Sequence, residues 1–147
     1  MLKKYRLGFD PWGLALFLVT MIPTFVWTAV PAPYDVLRTE SDTPIADAVG
    51  FVLQVLFVAT ICFVVRKEAI RKTAFMVAAI VCVALYFAGW VFYYLGITTP
   101  AIILLLSLPP CLAFICYAIG RGNLPALAFA AGFTVCHLIF ATINFII

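Results

Sequence analysis

Charge is what this sequence lacks. Asp, Glu, Lys and Arg make up 10% of its 147 residues, against about 25% in ordinary soluble domains. From Thr73 onward there is no carboxylate, and Arg121 is the only charged side chain. That half of the chain therefore has no acid–base pair from which to build hydrolase or transferase chemistry. The net charge of +3 is dispersed to the ends of apolar segments, which excludes a nucleic-acid-binding face. Polar stretches are equally scarce. The longest, residues 31–43, is too short to hold a core, so no soluble domain is expected. All five cysteines (Cys62, Cys82, Cys111, Cys116 and Cys136) fall inside apolar runs and form no CxxC pair. A disulfide framework or a zinc site would need paired thiols in polar segments. The thiols read as small, soft core residues, and neither metal nor cofactor is expected.

What the chain has is apolar surface. Hydrophobic residues make up 67% of it and the mean hydropathy is +1.21. Runs of about 20 apolar residues recur five times, and a helix of that length crosses about 30 Å of hydrocarbon. The expected fold is all-α, an integral membrane bundle of five transmembrane helices forming a single domain over residues 1–147. Local signals place the helices at about 11–30, 44–65, 73–95, 100–119 and 124–146. Asp10-Pro11, Thr43-Pro44 and Thr99-Pro100 each set a capping residue before a proline at the first helical position, and Asn123 with Pro125 does so for the last helix. Pro31 and Pro33 stop the first helix, and Gly96 and Gly120 suit C-terminal ends. The basic N-terminus resembles a signal peptide, but its apolar run is long for one, and a retained helix is expected. Pro23 and the Pro109-Pro110 pair fall mid-span, where they free backbone carbonyls and favour kinks.

Lysine and arginine set a direction. Lys3, Lys4 and Arg6 precede the first run. Arg66, Lys67, Arg71 and Lys72 separate the second and third, and Arg121 separates the fourth and fifth. If all five helices cross, these segments share one side. The other side holds Arg38 with Asp35, Glu40, Asp42 and Asp47. The positive-inside rule then expects a cytoplasmic N-terminus and an external C-terminus, in a multi-pass protein of a bacterial-type plasma membrane. The 31–43 connection is read as a solvated loop, with a short interfacial helix around Tyr34–Glu40 as the alternative.

Polar groups in hydrocarbon are costly unless paired, so they face the protein interior or a wet cavity. Thr20, Thr24 and Thr28 share a face of the first helix with Trp27. Cys82, Tyr86, Gly89 and Tyr93 share one on the third, with Trp90 at its edge. Thr134, His137, Ala141 and Asn144 share one on the fifth. Gln54 and Ser107 are the strong candidates on the second and fourth. With alternating helix directions, these residues fall in the middle or outer half of the membrane, leaving the cytoplasmic half almost purely apolar.

The expected site is therefore an outer-half pocket lined by Thr24, Trp27, Thr28, Gln54, Tyr86, Trp90, Tyr93, Ser107, His137 and Asn144. Bland alternatives stand beside this reading. The threonines can bond their own helix one turn back, the aromatics can form an interfacial belt, and Gln54, Asn144 and His137 can bond neighbouring helices.

Three functions compete. The leading one is binding or transport of a small, cationic or aromatic molecule or lipid, held by cation–π contact and stacking beneath an acidic rim. The second is a non-catalytic accessory subunit, and the third is a membrane enzyme using His137, the only histidine. Expected partners are the bilayer, such a ligand, and a second copy of the chain through the small-residue face of Ala128 and Gly132. In size, helix number and the aromatics Trp12, Trp27 and Trp90, the chain resembles the translocator-protein family of tryptophan-rich sensory proteins. The resemblance is architectural and covers no motif, so it implies no site or ligand.

Overall fold

The computed structural model describes residues 4–68, 70 and 72–147. Five helices dominate it: α1 (Pro11–Ala29), α2 (Pro44–Phe63), α3 (Thr73–Tyr94), α4 (Pro100–Arg121) and α5 (Leu124–Phe145). All five are long and apolar enough to cross a membrane. The chain is a multi-pass membrane protein built on a five-helix bundle. Many large apolar side chains on the bundle's outside are exposed, among them Phe25, Phe51, Ile80 and Val135. In a bilayer these meet lipid tails.

Two short strands add to the expected helices. β1 (Tyr5–Leu7) pairs antiparallel with β2 (Val64–Arg66), with Tyr5 opposite Arg66 and Leu7 opposite Val64. The second helix therefore stops at Phe63 and does not run to residue 65. Val64 and Val65 are β-branched, and the N-terminal segment supplies the partner that lets them extend.

The ends of the bundle differ in charge. β1, β2 and the α4–α5 turn meet at one end: the Tyr5 hydroxyl donates to the Gly122 carbonyl at 3.0 Å, and the Asn123 amide donates to the carbonyls of Thr60 and Val64. This end carries Lys4, Arg6, Arg66, Lys67, Lys72 and Arg121. Lys3 and Arg71 lie outside the described residues. Asp35, Arg38, Glu40, Asp42 and Asp47 gather near the opposite end.

Capping explains part of the boundaries. Asp10 accepts from the amides of Trp12 and Gly13, and Asn123 accepts from the amide of Ala126. Thr43 makes no such cap; its hydroxyl donates to Asp47 instead. The fourth helix runs past Gly120 to Arg121, because Gly122 takes the left-handed conformation that closes it (φ 65°).

α4 is the central helix. It packs along α3 and α5, and α2 packs along α5. α1 closes one side with fewer contacts, but approaches α2 so closely that a Cβ on Gly13 would lie 2.7 Å from the Ile61 carbonyl oxygen. Buried side chains form two groups. One, around Phe57, Ile61, Phe114 and Tyr117, lies toward the basic end. The other, around Tyr86, Trp90, Tyr93 and Ile103, lies toward the acidic end.

Candidate functional site: a cavity between the two cores

Where the two groups meet, the bundle is not filled. A cavity of about 400 Å³ is lined by side chains from all five helices and by Leu37 from the 31–43 connection. Seven of the ten residues expected from sequence line it: Thr24, Trp27, Gln54, Tyr86, Trp90, Ser107 and His137. Its walls are otherwise apolar, with Phe17, Phe57, Phe114, Phe133 and Phe140 among them. None of the lining side chains is a carboxylate, a lysine or an arginine.

The polar groups in the wall divide into spent and open ones. The Ser107 hydroxyl donates to the Ile103 carbonyl at 2.8 Å, and Thr20 donates to the carbonyls of Leu16 and Phe17. Thr24 and Tyr86 share a long hydrogen bond of 3.4 Å between α1 and α3. Among the described residues, Gln54 and His137 make no hydrogen bond. His137 lies along an aromatic stripe, its ring 5.2 Å from Phe133 and 6.3 Å from Phe140, nearly parallel to both. The Trp90 indole nitrogen is buried and has no partner among the described residues. It lies near the Tyr86 hydroxyl, but outside hydrogen-bond geometry. Pro110 also lines the cavity. Having no N–H, it leaves the carbonyl of Leu106 one turn back without a helical donor. The wall thus offers an amide, an imidazole and an indole N–H, set among phenyl rings.

The other three expected residues are used elsewhere. Tyr93 is fully buried; its hydroxyl donates to Asp35 at 2.7 Å and lies 3.2 Å from the Leu37 amide. Thr28 donates to the Thr24 carbonyl on its own helix. Asn144 accepts from the Asp42 amide at 2.7 Å and donates to the Thr43 hydroxyl, tying the end of α5 to the 31–43 connection.

That connection is not a plain solvated loop, and it holds no helix at 34–40. It folds back as a strap. Asp35 is its hub, accepting from Tyr93, from the Trp27 indole at 2.8 Å, from Arg38 at 2.9 Å and from the Leu37 amide. Burial raises the Asp35 pKa, but these four donors outweigh it and hold the carboxyl below its ordinary value. The strap places Leu37 in the cavity wall. Arg38 lies over the Trp27 ring, 4.9 Å from its centroid. The cation–π partner expected for a ligand is therefore met within the chain, and Asp35 of the expected acidic rim is engaged as well.

A groove of about 270 Å³ adjoins the cavity between α2 and α5. Gln54, Phe133, His137 and Phe140 line both spaces, and Asp47, Gly50 and Cys136 line the groove alone. The two open polar side chains thus stand where the interior meets the α2–α5 face.

At the basic end, sequence reasoning saw Asp10 only as a helix cap. Asp10 is buried, and its second oxygen accepts from the Tyr117 hydroxyl at 2.9 Å and from Arg121 at 3.1 Å. This half of the bundle is accordingly not purely apolar. Arg121 was the available signal: a lone cation at a helix end, in a half-chain without carboxylates, needs an acid from elsewhere. Gly132 lies against Leu53 of α2 inside the chain, while Ala128 remains exposed. The cysteines are free thiols, with Cys62 and Cys111 buried.

Comparison with known proteins finds no matching family model, no similar curated protein and no similar solved structure.

Proposed function

We propose that the cavity is a binding site for a small uncharged molecule, mostly apolar or aromatic, that carries one or two hydrogen-bonding groups. The carrying observation is the set of open polar groups, Gln54, His137 and the Trp90 indole, in a wall otherwise made of rings and aliphatic side chains. The Trp90 indole nitrogen is the buried member of this set, and a buried polar group without a partner costs about 1–3 kcal/mol. Gln54 and His137 are half-buried where the cavity adjoins the α2–α5 groove. A ligand that accepts from the indole removes that cost, and the amide and imidazole supply further hydrogen-bonding positions. The volume of about 400 Å³ falls within the range of about 300–1,000 Å³ typical of small-molecule sites. A cation is a poorer fit than the sequence suggested, since the wall holds no carboxylate and the Trp27 ring already carries Arg38.

The α2–α5 groove is the entry route in this reading, and Leu37 on the strap closes the opposite end. The basic end faces the cytoplasm by the positive-inside rule, which turns the strap outward.

A thermal-shift screen of the purified chain in mild detergent tests the reading. Uncharged heteroaromatics are compared with amphiphilic cations of the same size. At a hundred-fold excess over Kd, a true ligand raises the midpoint by about 5 °C or more, and Gln54→Leu or His137→Phe removes that rise. Stabilisation by cations alone, or by neutral compounds equally in the native and variant chains, would refute the site.

A further inference from the structure

The basic end holds another cavity, of about 260 Å³, whose wall includes Arg6, Asp10, Arg66, Lys67, Arg121 and Asn123. Four cations face one carboxylate there, and that carboxylate is fully engaged by Tyr117, Arg121 and two backbone amides. Asn123 is likewise spent on Thr60, Val64 and its own helix. Arg66 is the exception. Its Nε is buried and, among the described residues, meets no acceptor. Its position is set by its place in β2, opposite Tyr5, and by the close approach of its guanidinium to Gly122. Arg6 and Lys67 stand exposed on the same wall. A pre-placed guanidinium N–H that meets no acceptor among the described residues, flanked by two exposed cations, fits a phosphate oxygen, which takes several charge-assisted donors at once.

We propose that this pocket binds a phosphate group, with Arg66 as the buried donor and Arg6 and Lys67 at its mouth. The rim favours a phospholipid headgroup as the source. Leu7, Phe9 and Phe63 are exposed beside the pocket, and the Phe9 and Phe63 rings lie 6.0 Å apart. These groups sit where the spanning helices end, at the level where acyl chains meet headgroups.

Native mass spectrometry of the full chain in mild detergent tests this with phosphatidylglycerol, phosphatidylcholine and inorganic phosphate as probes. Preference for phosphatidylglycerol over phosphatidylcholine is expected to fall about five-fold for each of Arg66→Gln, Arg6→Gln and Lys67→Gln. Lys72→Gln, a basic residue of the same end but outside the pocket, leaves it unchanged. Arg6 and Lys67 are exposed, so their variants keep the test valid if Arg66→Gln fails to fold. Protection of the native chain by inorganic phosphate, lost in the same variants, supports the phosphate site with a soluble source. Protection by phosphatidylglycerol alone supports the headgroup. No preference for either probe overturns the proposal, and so does a Lys72→Gln loss as large as the others, which would reveal a diffuse basic surface.

Discussion

Asp10 and Asp35 stand at opposite ends of the bundle, and each gathers several donors from other parts of the chain. Asp10 joins the start of α1 to Tyr117 and Arg121, residues more than a hundred positions away. Asp10→Ala removes a cap and strands a cation and a hydroxyl. Arg121 is about a third exposed and keeps part of its hydration. The expected loss is therefore about 2–3 kcal/mol of stability, from the lost cap and the Tyr117 hydroxyl left without its acceptor. It is read as a lowered midpoint in detergent, with Asp10→Asn milder because it keeps an acceptor. Asp35 makes a pH prediction. Its carboxyl is held below its ordinary value by Tyr93, Trp27, Arg38 and the Leu37 amide, against the opposing effect of burial. A depressed carboxylate contributes stability above its unfolded pKa and loses it as pH falls through the folded one. The strap should therefore hold above about pH 4 and loosen progressively below it. Trp27 emission should report this acid transition, and Asp35→Asn should abolish it; an unchanged transition in that variant would separate it from Asp35.

At the scale of elements, the five spans were legible because 20-residue apolar runs bounded by Asp, Thr, Asn and Pro leave few alternatives. The strands were not. Three residues are too few to show a two-residue period, and their partner lies some 60 residues away in the chain. The strap escaped for a related reason. Nothing local in Pro31–Thr43 announces that Asp35 will collect Trp27 from α1 and Tyr93 from α3. Thr28, Tyr93 and Asn144 share faces with the cavity residues, so periodicity could not separate wall from fastening. The close α1–α2 crossing makes an element-scale prediction. With a backbone oxygen only 2.7 Å from the Cβ position, Gly13→Ala must push the two helices apart. The expected cost is about 1–3 kcal/mol, seen as a lower thermal midpoint. A variant as stable as the native chain would show that the crossing has slack.

The whole molecule is asymmetric: cations and a small ribbon at one end, an acid-centred strap at the other, and an unfilled interior between two cores. Hydropathy and charge made the ends legible. Converging helix faces made much of the polar part of the cavity wall legible, since Thr24, Gln54, Tyr86 and His137 were singled out by period or depth, while its phenyl rings were not. What one sequence could not show is which polar groups would already be satisfied, because that depends on distances between helices. This distinction carries the central claim, that Gln54 and His137 are kept for a ligand and not for packing. The most direct measurement is the thermal midpoint of the ligand-free Gln54→Leu/His137→Phe double variant in detergent. Replacing unpaired polar groups with apolar ones of similar size should leave the midpoint unchanged or raise it. A clear fall would show that the two side chains hold the bundle together, and would contradict the account.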